Sequence, residues 1–389
     1  MRLYLVAGEA SGDNHGAALM GALRRLHPEI EFSGRGGPRM KELAGEGFLD
    51  WSGEAGVVGL WEVVKHYPYF RSEFHRTLKE IGRMKPEAVV LIDYPGFNLR
   101  LARTLHEGSL GGKIIYYISP QVWAWNQSRI PKMARWLDLM LCIFPFEAEL
   151  YERSGLRTIF VGHPMIENLE AKRIETARDP NLVGLFPGSR AREVRKLMPI
   201  FIEVMRQLRA QRPAVHFEVA AASPALADLI REGISPGRAE ASSSEATRFS
   251  VPSDSAGEVE VSVGRAAETM QRSAAGIVAS GTATLEAAFF RLPFVLVYKV
   301  STPTYFAGRL LIQVPHLGMP NVLAGREVVP EFIQHKAEPA RIAAEVLRLL
   351  DEPLRREKML ADFDEVIARL GRGGANEAAA RAILHTLKA

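Results

Sequence analysis

One cysteine stands among 389 residues: Cys142, inside the apolar run Leu139-Met140-Leu141-Cys142-Ile143-Phe144. A single thiol excludes a disulfide within the chain, and in that run it reads as a small buried hydrophobe, consistent with a reducing cytoplasm. No apolar run approaches the length of a membrane span. Met1-Arg2 leads directly into the first strand-like run, which leaves no room for a signal peptide and predicts a cytoplasmic protein. Charge of either sign is also nearly absent in net terms. The 49 basic and 45 acidic side chains leave +4, and no Arg/Lys-rich stripe is interleaved with aromatics, so nucleic acid is not indicated. The balance suits anionic small ligands or an anionic lipid surface. HExxH, paired CxxC, Walker A and GxSxG signatures are all missing. Asp362-Phe363-Asp364 has DxD spacing, but mid-helix its two carboxylates do not share a face; it reads as solvated surface, and no metal and no cofactor are predicted.

What is present is a chain long enough for two cores, with 47% hydrophobic and 24% charged residues, the composition of a folded protein. Strand-like runs alternate with helix-like stretches, which predicts βαβ units and parallel sheets. The strands fall at 3–7, 88–93, 113–118, 137–143 and 158–161, then at 182–186, 215–220, 276–279 and 294–298. The pattern breaks near Gly162-His163-Pro164 and restarts after Asp179-Pro180-Asn181. We read an N-terminal Rossmann-like domain over 1–163, a linker over 164–181 and a second Rossmann-like domain over 182–345. Helices over 346–389 are predicted to pack back toward the first domain. Residues 233–257, rich in Ser, Gly, Pro and Ala, read as a surface insertion.

Three glycine-bounded loops carry the chemistry. Leu3-Tyr4-Leu5-Val6-Ala7 runs into Gly8-Glu9-Ala10-Ser11-Gly12-Asp13 and then a helix; free N–H groups at a helix start suit a sugar, phosphate or carboxylate. Val183-Gly184-Leu185-Phe186 runs into Pro187-Gly188-Ser189-Arg190 and a helix beginning near Arg192. There a guanidinium beside a helix N-terminus suits a diphosphate, unless Arg190 is only a solvated first-turn residue. Ala279-Ser280-Gly281-Thr282-Ala283 opens a third helix, with Thr282 as its cap and Glu286 one turn on, placed to accept a ribose's hydroxyls or simply to face solvent. Between these loops, Val89-Val90-Leu91-Ile92 ends on Asp93. That aspartate is either the cap of the helix starting near Pro95 or a carboxylate whose burial makes it a proton acceptor. The apolar segment Val57, Val58, Leu60, Trp61, Val63, Val64, Tyr67 and Phe70, followed by Arg71, Arg76 and Lys79, is either a core-facing helix or a surface for acyl chains or a bilayer.

Taken in order, these loops resemble the lipid-A-disaccharide synthase family. The resemblance rests on Gly8-Glu9-Ala10-Ser11-Gly12-Asp13, Asp93-Tyr94-Pro95-Gly96-Phe97-Asn98, Ser119-Pro120-Gln121-Val122-Trp123-Ala124-Trp125 and Phe144-Pro145-Phe146-Glu147. It continues through Val161-Gly162-His163-Pro164, Pro187-Gly188-Ser189-Arg190, Ser280-Gly281-Thr282-Ala283-Thr284-Leu285-Glu286 and Pro320-Asn321-Val322-Leu323-Ala324-Gly325-Arg326. It implies an α/β fold of GT-B type, two facing Rossmann-like domains with a C-terminal helical segment, and an inverting, metal-independent glycosyltransferase. The implied donor is UDP-2,3-diacylglucosamine and the implied acceptor 2,3-diacylglucosamine 1-phosphate. Asp93 matches the family's proposed base, which favours catalysis over capping. Gly188, Ser189, Arg190, Gly281, Thr282, Ala283, Glu286 and Asn321 would hold UDP and the donor sugar. Gly8, Glu9, Ser11, Gly12, Asp13 and Asn98 would face the acceptor, whose phosphate would use the loop's N–H groups. The apolar segment would contact acyl chains at the cytoplasmic face of the inner membrane, to which a homodimer would attach peripherally.

Other readings share parts of this pattern. A UDP-sugar epimerase or another UDP-sugar transferase would keep the nucleotide loops but would tolerate Trp61→Ser with Val64→Ser. A two-domain sugar-phosphate sensor would lose binding in Asp93→Ala, where a transferase loses turnover. A membrane-surface adaptor leaves all three loops unexplained.

Overall fold

The computed structural model describes residues 1–55, 67–235, 248–253, 257–301, 305, 308, 312 and 314–388. The chain forms two compact units, Met1–Ile166 with Leu370–Ala389, and Glu167–Arg369. The C-terminal segment predicted as one block is therefore divided. Helices Pro339–Asp351 and Pro353–Ala368 belong to the second unit, and only Ala375–Lys388 belongs to the first.

The first unit holds a seven-stranded parallel sheet: β1 Arg2–Ala7, β2 Glu31–Gly36, β3 Phe48–Asp50, β4 Ala88–Ile92, β5 Lys113–Tyr117, β6 Leu139–Cys142 and β7 Thr158–Phe160. Their order is β3-β2-β1-β4-β5-β6-β7. The continuous apolar runs of β1 and β4 are buried along nearly their whole length, as central parallel strands covered on both faces must be. Helix Pro95–Gly108 buries Phe97, Leu101 and Leu105, spaced four residues apart. The returning helix Ala375–Lys388 packs on helix Ala10–Leu26. It is tied in by the Tyr117 hydroxyl, which donates to Asn376 Oδ1 at 3.0 Å, and by the His163 N–H, which donates to the Leu370 carbonyl just before it at 2.8 Å.

Strands β2 and β3 have no counterpart in the predicted set. Glu31-Phe32-Ser33-Gly34-Arg35-Gly36 holds a single large hydrophobe, so no apolar run marks it; pairing to β1, from Arg2↔Glu31 to Val6↔Arg35, makes it a strand. Arg35 is fully buried there. Its guanidinium pairs with Glu73 and with Glu80 (2.8 Å), lies 5.6 Å from the Trp51 ring centroid, and meets the Tyr4 hydroxyl, which itself donates to Glu80 at 2.5 Å. Glu73 and Glu80 lie two turns apart on one face of helix Tyr67–Met84, so a single buried cation fastens that helix to the sheet.

The second sheet comprises β8 Asp179–Phe186, β9 His216–Ala221, β10 Arg248–Ser253, β11 Gly257–Val263, β12 Ser273–Ala279, β13 Phe294–Tyr298 and β14 Glu331–Ile333, in the order β10-β11-β9-β8-β12-β13-β14. All its neighbours are parallel except β10 and β11. Part of the predicted surface insertion is thus an antiparallel edge strand. The predicted linker is ordered at its end by Arg178, whose guanidinium donates to the carbonyls of Met270 (2.7 Å), Ser273 (2.6 Å), Phe290 and Arg291 (2.9 Å). Four carbonyl partners satisfy a largely desolvated cation, and burial, with Arg291 adding to it, lowers its pKa to about 10. Among the described residues no helix is long and apolar enough to cross a membrane.

Removing Arg35 takes the buried partner from Glu73 and leaves it paired only with the exposed Arg76, at 2.9 Å. Arg35→Met is expected to destabilise the protein by about 3–5 kcal/mol, read as a lower urea midpoint.

Candidate functional site

Strand order reverses between β1 and β4 in the first sheet and between β8 and β12 in the second. Open parallel sheets bind ligands at such points, outside the carboxyl ends of the strands. The loops beginning at Gly8 and Asp93 flank the first reversal, and those at Pro187 and Ser280 flank the second.

Asp93 and Tyr94 both adopt left-handed backbone conformations, φ +48° and +50°, which non-glycine residues enter only under constraint. The constraints are explicit. The Asp93 N–H donates to the Tyr117 carbonyl at 3.0 Å, and the Asp93 carbonyl accepts from Asn98 Nδ2 at 2.8 Å and from the Tyr116 hydroxyl at 2.5 Å. Gly8 completes the fit, because a Cβ there would lie 2.3–2.5 Å from the Tyr94 ring. Tyr94, not Asp93, occupies the N-cap of helix Pro95–Gly108, and no side chain caps it. The Asp93 carboxyl is half-buried. Burial raises its pKa, the Glu9 carboxylate adds to the rise, and a hydrogen bond from the Tyr94 backbone opposes it.

Two residues predicted to face the acceptor have other work. Asp13 is buried, and its carboxylate accepts from the N–H groups of Gly37 (3.0 Å), Arg39 (3.1 Å) and Met40 (2.9 Å), capping helix Pro38–Ala44. Asn98 is buried too. Its Nδ2 donates to Val6, Ile92 and Asp93 carbonyls, so it positions the Asp93 turn. Glu9 and Ser11 are exposed at the helix start, with Gly8 and Gly12 packed beneath them.

At the second reversal Gly188 has φ +104°, and a Cβ there would come 2.5 Å from the Glu193 carboxylate. Helix Ala191–Gln211 starts without a side-chain cap, and exposed Arg190 at its N-cap reaches Glu193 Oε1 at 3.0 Å. Thr282 stands at the N-cap of helix Ala283–Phe289 but makes no capping bond, contrary to its predicted role. Thr284 Oγ1 instead donates to the Gly281 carbonyl at 2.7 Å. Glu286, one turn after Thr282, is half-buried, and burial raises its pKa against the pull of Lys172. Asn321 is removed from the predicted ligand set. Its Nδ2 donates to the Val329 carbonyl and Glu331, each at 2.8 Å, while its Oδ1 accepts from the Val328 and Val329 N–H groups, leaving little capacity for a ligand.

Of the predicted apolar patch, Val57, Val58, Leu60, Trp61, Val63 and Val64 lie outside the described residues, as does the Tyr67 side chain. Phe70 packs inward, 6.4 Å from Trp51 edge to face, and so belongs to the core. Asp362 pairs with Arg326 at 2.8 Å and Asp364 with Arg291. Among the described residues no group of His, Cys, Asp and Glu is placed to hold a metal ion.

Sequence reasoning missed Tyr116, which shapes the Asp93 turn, and gave no role to Glu147. Glu147 is fully buried and accepts from Trp123 Nε1 at 2.9 Å and from the Phe144 N–H at 3.1 Å. Burial lifts its carboxyl from 4.5 to about 7 against the pull of these bonds. An apolar strand ending in Phe-Pro-Phe-Glu carried the only signal, a carboxylate one turn into a helix.

Two Rossmann-like α/β units, each with its polar loops at a strand-order reversal, define a GT-B-type scaffold. Solved structures share it at low identity. A UDP-GlcNAc 2-epimerase from Neisseria meningitidis bound to UDP-GlcNAc superposes with TM-score 0.63 at 13% identity, covering 99% of this chain and 100% of that one. MurG of Acinetobacter baumannii gives 0.56 at 12%, covering 99% of each chain. In sequence, residues 3–385 match the family described as lipid-A-disaccharide synthetase. The lipid-A-disaccharide synthase of Geobacter sulfurreducens is 41% identical over 99% of this chain and 97% of its own length, and that of Myxococcus xanthus 38% over the same shares. The chain belongs to the lipid-A-disaccharide synthase family and is a glycosyltransferase.

Two outcomes follow from the buried carboxylates. Asp13→Ala is expected to cost about 1–2 kcal/mol, as loss of a helix cap does, read as a lower melting temperature. For Glu147, the folded state keeps a proton that the unfolded chain releases between pH 4.5 and about 7. Stability should therefore fall as pH rises through that window, by on the order of a few kcal/mol, and Glu147→Gln should flatten the slope in urea midpoints taken across it.

Proposed function

We propose that this glycosyltransferase moves the 2,3-diacylglucosamine unit of UDP-2,3-diacylglucosamine onto the 6-hydroxyl of 2,3-diacylglucosamine 1-phosphate, with inversion. The products are the β-1,6-linked disaccharide 1-phosphate and UDP. The observation that carries the reading is the Asp93 turn: a half-buried carboxylate with raised pKa, held at a strand-order reversal by Asn98 and Tyr116. A base of this kind takes the proton of the 6-hydroxyl as its oxygen attacks the anomeric carbon. The bond from that carbon to the diphosphate oxygen breaks on the opposite face, and its electron pair leaves with UDP.

The departing charge falls to the second unit. The open N-terminus of helix Ala191–Gln211 offers fixed N–H donors beside Gly188 and Ser189, and Arg190 supplies a cation. Glu286 and Thr282 share a helix face suited to the ribose hydroxyls, with Gly281 and Ala283 leaving the backbone open to the ligand. The loop from Gly8 through Gly12 faces the acceptor. The apolar segment 57–64 contacts acyl chains, and a homodimer attaches peripherally to the cytoplasmic face of the inner membrane. Arg190 and the helix N-terminus take the part of a divalent cation, so EDTA is expected to leave turnover unchanged.

The test is UDP release with 2,3-diacylglucosamine 1-phosphate as acceptor, comparing the acylated donor with UDP-N-acetylglucosamine. Release from the acylated donor alone is expected. Release from neither, with UDP still bound, would overturn the assignment. Asp93→Ala should lower turnover by about 10²–10⁴-fold while sparing UDP affinity, as measured by calorimetry. Because the base must be ionised, activity should fall with decreasing pH through an Asp93 pKa above the usual aspartate value, and this acid limb should shift when Glu9→Gln removes the neighbouring charge.

A further inference from the structure

The loop after β5, which carries the Ser119–Trp125 motif, has no part in the reaction as drawn, yet it is unusually fixed. It begins at Ile118, a β-branched residue held left-handed at φ +64° with its N–H bonded to the Leu141 carbonyl at 3.0 Å. The Tyr151 hydroxyl donates to the Pro120 carbonyl at 2.9 Å, and the Trp123 indole N–H donates to buried Glu147 at 2.9 Å. The Trp123 ring meets Phe146 edge to face at 4.9 Å, and Gln127 Nε2 donates back to the Trp123 carbonyl at 3.1 Å. All this scaffolding presents Trp125, two residues on, with 41% of its surface exposed. The Arg129 guanidinium sits 5.1 Å from the Trp125 ring centroid, and among the described residues no carboxylate pairs with it.

β5 is the immediate neighbour of β4, so this loop and the Asp93 turn leave the same sheet edge side by side. An indole on a rigid loop offers the face turned away from Arg129 to the C–H face of a sugar ring, and a guanidinium with no carboxylate partner offers a fork for phosphate. The loop at the first reversal offers no such cation. Its exposed side chains include Glu9, whose carboxylate repels a phosphate. We propose that Trp125 and Arg129 form the subsite that binds the phosphorylated acceptor sugar, the indole lying against the ring and the guanidinium on the phosphate. This rests on the transferase reading above.

The experiment is an acceptor titration of Trp125→Ala, Trp125→Phe, Arg129→Gln and Arg129→Lys in the full chain, in detergent micelles. Trp125→Ala and Arg129→Gln should each lower kcat/KM for the phosphorylated acceptor by about tenfold or more, with donor KM unmoved. Trp125→Phe should recover most of the loss and Arg129→Lys part of it. With an acceptor lacking the phosphate, Arg129→Gln should cost nothing further. Equal losses on both substrates, or no loss, would overturn the subsite. So would variants that keep normal acceptor kinetics in micelles but no longer sediment with anionic phospholipid vesicles, which would make the pair a membrane contact. If the wild type releases no UDP, the transferase reading fails by itself. The subsite is then judged by quenching of tryptophan fluorescence with 2,3-diacylglucosamine 1-phosphate, which should saturate in the wild type and weaken about tenfold in Arg129→Gln; unchanged quenching would overturn it.

Discussion

Reversal of strand order in a parallel sheet is the constraint from which the functional geometry follows. Right-handed crossovers send the helices after β1 and β4 to opposite faces of the first sheet, because their chains proceed to strands on opposite sides. The carboxyl ends of those two strands are then left uncovered, and whatever residues follow them face a shared crevice. Gly8 and Asp93 are such residues, as are Gly188 and Gly281 in the second sheet. Neither pair is close in sequence. Each is brought together by hydrogen bonding of its parent strands, Ala7 opposite Ile92 in one sheet and Phe186 opposite Val278 in the other.

A turn with two successive left-handed non-glycine residues does not hold itself. Behind Asp93 and Tyr94 lies contiguous packing that reaches a fully buried charge of the first unit, Arg35. Glu73 and Glu80 hold Arg35, and Arg35 lies over Trp51. The Trp51 indole N–H donates to the Ala7 carbonyl at 2.6 Å, and its ring meets Phe97 at 4.9 Å and Tyr94 at 6.2 Å. The carbonyl of Ala7 is the last before Gly8, so one tryptophan braces both loops of the reversal. A buried cation is costly unless every partner is in place, and here the partners come from β1 and helix Tyr67–Met84. That cost ties the order of the helix to the order of the site.

Much of the architecture was legible in the sequence because central parallel strands are apolar throughout, and Leu3 to Ala7 or Ala88 to Ile92 can be little else. The glycine loops were legible because strand, glycine and helix follow one another within a dozen residues. β2 was not legible, since its six residues have no pattern of their own and its burial depends on a salt-bridge network spanning 45 residues, from Arg35 to Glu80. The loops at the strand ends were legible in place, and the hydrogen-bonding roles of their polar residues less so. Asp13, Asn98 and Asn321 all have the polar groups that ligands need, yet Asp13 accepts from three backbone N–H groups, Asn98 Nδ2 donates only to backbone carbonyls, and both ends of the Asn321 amide bond backbone. Asp13 binds amides 24–27 residues away, and no local spacing reveals them.

The sequence by itself determined the class of fold, the position of each loop at a strand's end and the family to which the chain belongs, because these depend on apolar periodicity, glycine placement and short contiguous motifs. Only the tertiary structure decided which polar side chains remain open to a ligand. Hydrogen-bonding capacity is a property of a residue type, but whether it is already filled depends on donors and acceptors contributed by distant segments. Asp93 has a raised carboxyl and Asp13 a saturated one for that reason alone.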